Sequence, residues 1–283
     1  MDMNKPLREN SPYVPFPYID NYPKDEHGDI YPSTHKYDYD YEDPKKFVYR
    51  PKNFAFKFKR FFIRTFAFLI GEPIVRFRYG IKIVGKKNYR LHKKEMKEGF
   101  ITVCNHVLPW DCLAVSATRM GRFPEFPMWQ AGFESTIGPL LRSYGGFPVV
   151  KTVHGVMNAY IAMRAVLKEH KWLHVYPEAA CWNNYAPLRE FKDGTFRLAY
   201  ELGTPVFPLV ISYRPRHGFF KLYCRKDPLV TLKIGEPQYA LKTLSRADGT
   251  KELLNRVHLK MIQMAGLVNE KENEELKKLY SYQ

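Results

Sequence analysis

From about residue 98 onward the chain predicts an α/β domain with a largely parallel central sheet flanked by helices, and three observations support this. Short apolar runs at 100–104, 126–130, 146–150, 172–176 and 205–211 have strand length, and helical stretches near 111–120, 134–144, 153–169 and 193–202 separate them. Phe100-Ile101-Thr102-Val103-Cys104 is apolar throughout, as expected of a buried strand. Finally, His106 and Glu178 each fall just beyond a predicted strand, and open α/β sheets gather ligands at that rim.

Taken in order, residues 1–51 form an acidic arm rich in Tyr and Pro. Its first 45 residues hold ten acids against five bases, so the arm carries −5 and the rest of the chain +21, within an overall +16. Such an arm either folds across a basic surface of its own protein or stands as a solvated extension. Residues 52–80 form the next unit, where Phe54, Phe56, Phe58, Phe61, Phe62, Phe66 and Phe68 are interleaved with Lys52, Lys57, Lys59, Arg60 and Arg64. An aromatic, basic helix of this kind suits the headgroup region of a bilayer, with cations toward anionic lipid and rings in the acyl boundary. Packing of the same amphipathic helix on the core is the competing expectation.

Residues 81–283 make up the main domain. Within it, 219–236 predicts two further short strands, and 250–280 one or two helices ending in a charged tail. A chain of 283 residues with 45% hydrophobic content buries a large core, and its positive charge favours anionic partners: a membrane surface, a phosphorylated substrate, an acidic carrier or nucleic acid. Cys104, Cys112, Cys181 and Cys224 are widely spaced with no CxxC pair, which indicates neither a disulfide framework nor a zinc site. No signal peptide opens the chain, and no uncharged stretch approaches the ~18 residues that span a bilayer. The expected location is therefore the cytoplasmic face of a membrane, with peripheral or monotopic attachment.

The chemistry centres on Asn105-His106-Val107-Leu108-Pro109-Trp110-Asp111. Imidazole takes a proton from a hydroxyl near neutral pH, and a carboxylate on its other nitrogen fixes the tautomer. On one helix, five residues would set the two side chains roughly 140° apart. His106 therefore belongs on the turn after the strand, with Pro109 in the first helical turn and Asp111 near the positive end of the helix dipole. An ordinary loop histidine beside a helix-terminal carboxylate has the same spacing.

Four ordered segments resemble the glycerolipid acyltransferase family, best known for 1-acylglycerol-3-phosphate acyltransferase. Asn105, His106 and Asp111 match its N-H-x4-D motif, and Gly145-Gly146-Phe147-Pro148-Val149-Val150-Lys151 occupies the second motif, which usually ends in arginine. Tyr176-Pro177-Glu178-Ala179-Ala180-Cys181 occupies the third, commonly Glu-Gly-Thr-Arg, and Val206-Phe207-Pro208-Leu209-Val210 the fourth. The likeness extends over about residues 54–240. It implies that His106, oriented by Asp111, deprotonates an acceptor hydroxyl that attacks the thioester of acyl-CoA or acyl carrier protein. Backbone N–H groups at the start of the following helix are the expected oxyanion donors. No metal, other cofactor or covalent acyl-enzyme is required, and Cys104 and Cys112 are expected to be small core residues.

Asn105, Lys151, Glu178, Arg189 and Lys192 are the expected substrate-binding residues, with Glu178 holding the acceptor. A rim carboxylate paired with a nearby Lys or Arg would occupy the position of Glu178 equally well. The second and third motifs depart from the family at Lys151 and at Ala179-Ala180-Cys181, so a guanidinium and a hydroxyl for phosphate are missing there; Arg142, Lys151, Arg189 and Lys192 are the cations available instead. The expected acceptor is a lysophospholipid, first of all 1-acylglycerol-3-phosphate, with a lyso-aminolipid as the alternative within the family. A non-enzymatic basic protein binding membrane or nucleic acid is the alternative of another class, but no RNA-binding signature accompanies the charge, and no nucleic-acid partner is expected.

Overall fold

The computed structural model describes residues 40–266, apart from 109, 184, 186, 187, 215–217 and 223–228. Most of the acidic arm, the charged tail, Pro109 and Cys224 lie outside the described residues.

The chain enters through a helical segment. Asn53 caps α1 (Phe54–Phe66) by accepting the Phe56 N–H at 2.8 Å. A π-helical stretch, Ala67–Gly71, joins it to α2 (Glu72–Arg78). The arginines of α1 turn inward, where the cations of this segment were expected to reach toward lipid. Arg60 pairs with the buried Glu125 at 3.2 Å, and Arg64 Nε donates to the Tyr144 carbonyl at 2.7 Å. Phe54, Phe58, Phe61, Phe62 and Phe66 are exposed. The physical reason is that a buried carboxylate and a backbone carbonyl require partners, and a guanidinium supplies them.

The sheet is built from β1 (Lys82–Val84), β2 (Phe100–Val103), β5 (Trp172–Val175), β6 (Val206–Arg214) and β7 (Leu229–Ile234), in the order β1-β7-β6-β2-β5. All neighbours are parallel except β6 and β7. A separate parallel pair, β3 (Phe126–Trp129) with β4 (Gly146–Val149), is tied to the edge by a bridge between Glu125 and Leu173. Side chains alternate across β2: Phe100 and Cys104 enter one core, Ile101 and Val103 the other.

The first core is closed by α2, by α3 (Lys86–Arg90) through Tyr89, and by α4 (Asp111–Ser116) through Ala114 and Val115. The second is closed by α7 (Val153–Lys168), α8 (Gly194–Leu202) and α10 (Arg246–Ala265). Helices thus cover both faces, as a largely parallel sheet requires.

Several expectations change in detail. The helix foreseen over 134–144 is two short ones, α5 (Ala131–Glu134) and α6 (Gly138–Tyr144), because Ser135 is extended and Pro139 can only start a new turn. Among its described residues, the stretch foreseen as two strands over 219–236 holds one short helix, α9 (Phe219–Leu222), and one strand, β7. Helix α4 ends at Ser116, and α10 begins at a Ser245 cap and stops at Gly266 in the left-handed conformation. No helix among the described residues is long and apolar enough to cross a membrane.

Candidate active site

Strands β2 and β5 are adjacent, parallel and in register, with Val103 opposite Val175. Their exits therefore open side by side, one leading to His106 and the other to Tyr176 and Glu178. Two segments about 70 residues apart in sequence share one rim for that reason.

The 104–111 turn folds histidine and aspartate together. His106 Nδ1 meets Asp111 Oδ2 at 2.6 Å, and Asp111 is the first residue of α4. The Asp111 carboxylate is buried, whereas the His106 side chain keeps 25% of its exposure and can meet a substrate. Its ring is stacked on Tyr176, with centroids 4.1 Å apart and planes 14° from parallel. Burial disfavours the imidazolium, but the Asp111 carboxylate and Cys181 outweigh burial and hold the ring well above the usual histidine range. The result is a strongly basic imidazole with a fixed tautomer.

Asn105 is fully buried beneath this pair. Its amide donates to the Ile211 carbonyl at 3.0 Å and accepts the Ile211 N–H at 2.8 Å, which ties the turn to β6. That geometry gives Asn105 a positioning task where substrate contact was expected.

Glu178 is also buried. It accepts the His106 N–H at 3.1 Å, the Arg189 N–H at 3.2 Å and the Arg189 Nη2 at 2.6 Å. Arg189 is only 1% exposed; its guanidinium lies over the Trp182 ring at 4.5 Å and donates to the Ala180 carbonyl. Burial raises the Glu178 carboxyl, and Arg189 with the two backbone donors opposes that rise. The paired-carboxylate alternative is thus the observed one, with the difference that the pair is buried and braces the His106 turn. An arginine foreseen among the accessible cations is inside instead, because a buried carboxylate needs a matching charge.

Lys151 and Lys192 are exposed. Lys151 lies over the Trp129 ring at 4.5 Å, just before the Thr152 cap of α7. Lys192 is held through its backbone by the Pro177 carbonyl at 2.8 Å, which places it beside the Glu178 loop. Among the described residues, no hydrogen bond or ion pair brings either ammonium to His106. Arg142 is turned to the arm, donating to the Val48 carbonyl at 2.7 Å. Of the expected oxyanion donors, the Asp111 N–H is bonded to the Leu108 carbonyl at 3.3 Å, and the Leu108 N–H faces Asp111 Oδ2 at 3.5 Å.

Two members of the site carried no assigned role in the sequence. One is Tyr176, quoted in the third motif only as its first residue; burial, then the charge of Asp111, pushes its phenol well above the ordinary value. The other is Cys181, half-buried beside Trp182, whose N–H donates to the His106 carbonyl at 3.0 Å; Cys181 adds to Asp111 in holding the His106 ring above its usual range. Sequence proximity drew attention to Cys104 and Cys112 instead, and both are buried, with burial first among the causes that raise their thiols, Cys112 to about 12. Deeper still, His174 hydrogen-bonds Thr102 at 2.7 Å and burial lowers it to about 3, so it stays neutral.

Residues 80–212 match a protein-family model described as Acyltransferase. No curated protein matches the chain. Among solved structures, it is similar to the crystal structure of the 1-acyl-sn-glycerophosphate (LPA) acyltransferase PlsC from Thermotoga maritima, at 18% identity and a TM-score of 0.43, over 74% of this chain and 96% of that one.

Proposed function

Starting from an acyltransferase-family domain over residues 80–212, we propose that the chain transfers a fatty acyl group from acyl-CoA or acyl carrier protein to the free hydroxyl of a lysophospholipid, with 1-acylglycerol-3-phosphate the first acceptor to test. The observation that carries this is the 2.6 Å contact between His106 and a buried Asp111. The carboxylate raises the basicity of a ring that stays reachable, and a hydroxyl must lose its proton as it attacks a thioester carbonyl. In this scheme the Glu178–Arg189 pair holds the backbone of His106, and the exposed Lys192 and Lys151 are the cations left to meet an acceptor phosphate. No metal or other cofactor takes part.

The same proposal places the protein on the cytoplasmic face of a membrane, attached through α1 and α2 without spanning it. Exposed rings at Phe54, Phe58, Phe61, Phe62, Phe66 and Phe77 support this, because an aromatic face of that size turned from the core gains by entering lipid.

The test is acyl transfer by the purified protein from oleoyl-CoA, and from oleoyl-acyl carrier protein, to a panel of lysophospholipids and lyso-aminolipids. Turnover is expected with a phosphate-bearing lysolipid, and His106→Ala should lower it by about 10²–10⁴-fold. Turnover that is indifferent to His106→Ala would sink the mechanism. Turnover confined to lyso-aminolipids would move the acceptor to the other branch.

A further inference from the structure

The contact with Asp111 leaves one freedom of the His106 ring open, and Tyr176 closes it. A single hydrogen bond between Nδ1 and Asp111 Oδ2 at 2.6 Å fixes the tautomer, but the imidazole can still turn about that contact. The Tyr176 ring lies against the imidazole with centroids 4.1 Å apart and planes 14° from parallel, which sets the plane and with it the direction of Nε2. Tyr176 is itself held. The His174 ring meets it at 88° with centroids 4.5 Å apart. His174 is fixed by Thr102 Oγ1 at 2.7 Å, and that oxygen also accepts the Trp172 Nε1–H at 2.7 Å. Thr102 and His174 face each other in the register of β2 and β5, so the brace behind Tyr176 is part of the sheet.

The ring makes this contact and the hydroxyl does not. The Tyr176 hydroxyl oxygen is covered and has no hydrogen-bond partner among the described residues, so a phenyl group here would offer His106 the same face. An aromatic face attracts a cation within about 6 Å of its centroid. Neutral imidazole gains little from that face, whereas the imidazolium formed when the ring takes a proton gains more. We propose that Tyr176 is a positioning residue for acyl transfer: its ring holds His106 in plane and stabilises it while it carries the proton of the acceptor hydroxyl. This rests on the acyl-transfer function given above. In that step the acceptor oxygen bonds to the thioester carbonyl carbon and its proton moves to His106 Nε2. The carbon–sulfur bond then breaks and the proton passes to the departing thiolate. Tyr176 makes and breaks no bond. The other groups facing His106 are the Asp111 carboxylate of α4, Cys181, and Glu178, which accepts the His106 N–H and is matched by Arg189; His174 stays neutral behind Tyr176.

Three forms of the full-length protein separate ring from hydroxyl: wild type, Tyr176→Phe and Tyr176→Leu. With oleoyl-CoA and lysophosphatidic acid, Tyr176→Leu should lower kcat by about ten- to a hundredfold and change KM far less, because a displaced base slows the chemical step. In the same variant the acid limb of the pH profile should move down by about 0.5–1.5 units, the loss of one cation–π contact. Tyr176→Phe should stay within about threefold of wild type and keep its limb, since the hydroxyl it removes has no partner. A nuclear magnetic resonance titration reads the same contact without substrate. In protein carrying isotope-labelled histidine, the His106 signals are assigned by their loss in His106→Ala, and in Tyr176→Leu they should titrate about 0.5–1.5 units lower than in wild type. In wild type the His106 ring protons should show nuclear Overhauser contacts to the Tyr176 ring, which keeps the test open even where the leucine variant does not fold. An unmoved His106 titration in Tyr176→Leu, a Tyr176→Phe variant as slow as Tyr176→Leu, or no contact between the two rings in wild type overturns the proposal. A lowered titration in a protein that turns over no lysolipid faults the acyl-transfer reading and upholds the hold of Tyr176 on the His106 proton.

Discussion

The turn that carries His106 and the helix that carries the Phe rings are both built around inward-facing charge, but they present opposite surfaces. At the turn, Asp111, Glu178 and Arg189 are buried, and the group left reachable is a polar ring. Along α1, Arg60 and Arg64 face the body, and the groups left outside are phenyl rings together with Lys57 and Lys59. In the first region buried charge positions a reactive group; in the second it anchors a helix whose apolar side faces out. A mutation of the inner layer should therefore change chemistry in one place and stability in the other.

The largest expected effect lies at the turn. Asp111→Asn keeps the shape but removes the charge that makes His106 basic, and should lower acyl transfer by about 10²–10⁴-fold. The pH profile provides a second readout. Hydroxyl attack needs neutral His106, and Asp111 helps raise the ring above the usual range, so kcat/KM for the acceptor should fall as pH drops through a value above 6.5. In Asp111→Asn that limb should move down. A wild-type limb at or below pH 6.5 would break the link between the 2.6 Å contact and basicity.

Next comes the inner layer of the helix. Glu125 is 3% exposed and meets Arg50 at 3.0 Å and Arg60 at 3.2 Å. Glu125→Gln takes the carboxylate from Arg60, while Arg50 keeps Glu169 at 2.8 Å, and should cost about 3 kcal/mol in urea unfolding. Burial alone would raise the Glu125 carboxyl, but Arg60, Arg50 and Lys171 outweigh it and hold it below the ordinary glutamate value. A depressed carboxyl contributes stability that is fully present above the unfolded value and is lost as pH falls through the folded one. The gap between wild type and Glu125→Gln should hold above pH 4.5 and narrow below it. A gap that is flat across that range would mean the carboxylate charge contributes nothing.

The outer layer of the same helix should behave in the reverse way. Phe58→Ser with Phe62→Ser, both rings being exposed and 4.7 Å apart, should change stability by less than about 0.5 kcal/mol. Flotation with anionic liposomes should weaken at least about tenfold per ring, since burying one ring gains about 1.5–3 kcal/mol. Unchanged flotation would remove the membrane role from this face.

The two regions also differ in how far the sequence alone reveals them. The strands around the site read directly from apolar runs, and the histidine–aspartate spacing placed both residues at a strand-to-helix turn, because each signal lies within a dozen residues. The direction of α1 did not read that way. Its composition announces an aromatic, basic helix, but which side faces the body is decided by Glu125 and the Tyr144 carbonyl, more than 60 residues away. Arg189 and Cys181 illustrate the same limit within the site. One is drawn inside by Glu178, and the loop that carries the other is tied to the His106 carbonyl through the Trp182 N–H, and neither contact leaves a local pattern.

The smallest effect lies on that loop, and it tests how tightly the inner layer of the site is held. Ala179 has φ of 59°, in the left-handed region, and its N–H donates to the Tyr176 carbonyl at 3.1 Å. The resembling motif has glycine at this position, and a side chain there costs roughly 1–2 kcal/mol in backbone strain. Ala179→Gly should relieve that strain, against the larger freedom glycine gains in the unfolded chain, for a net stabilisation of about 1 kcal/mol in urea unfolding. The alanine is therefore kept at a cost, and the same turn positions Glu178 on one side and Cys181 on the other. A destabilised glycine variant would show that the left-handed alanine stores little strain and that the freedom glycine gains in the unfolded chain outweighs it.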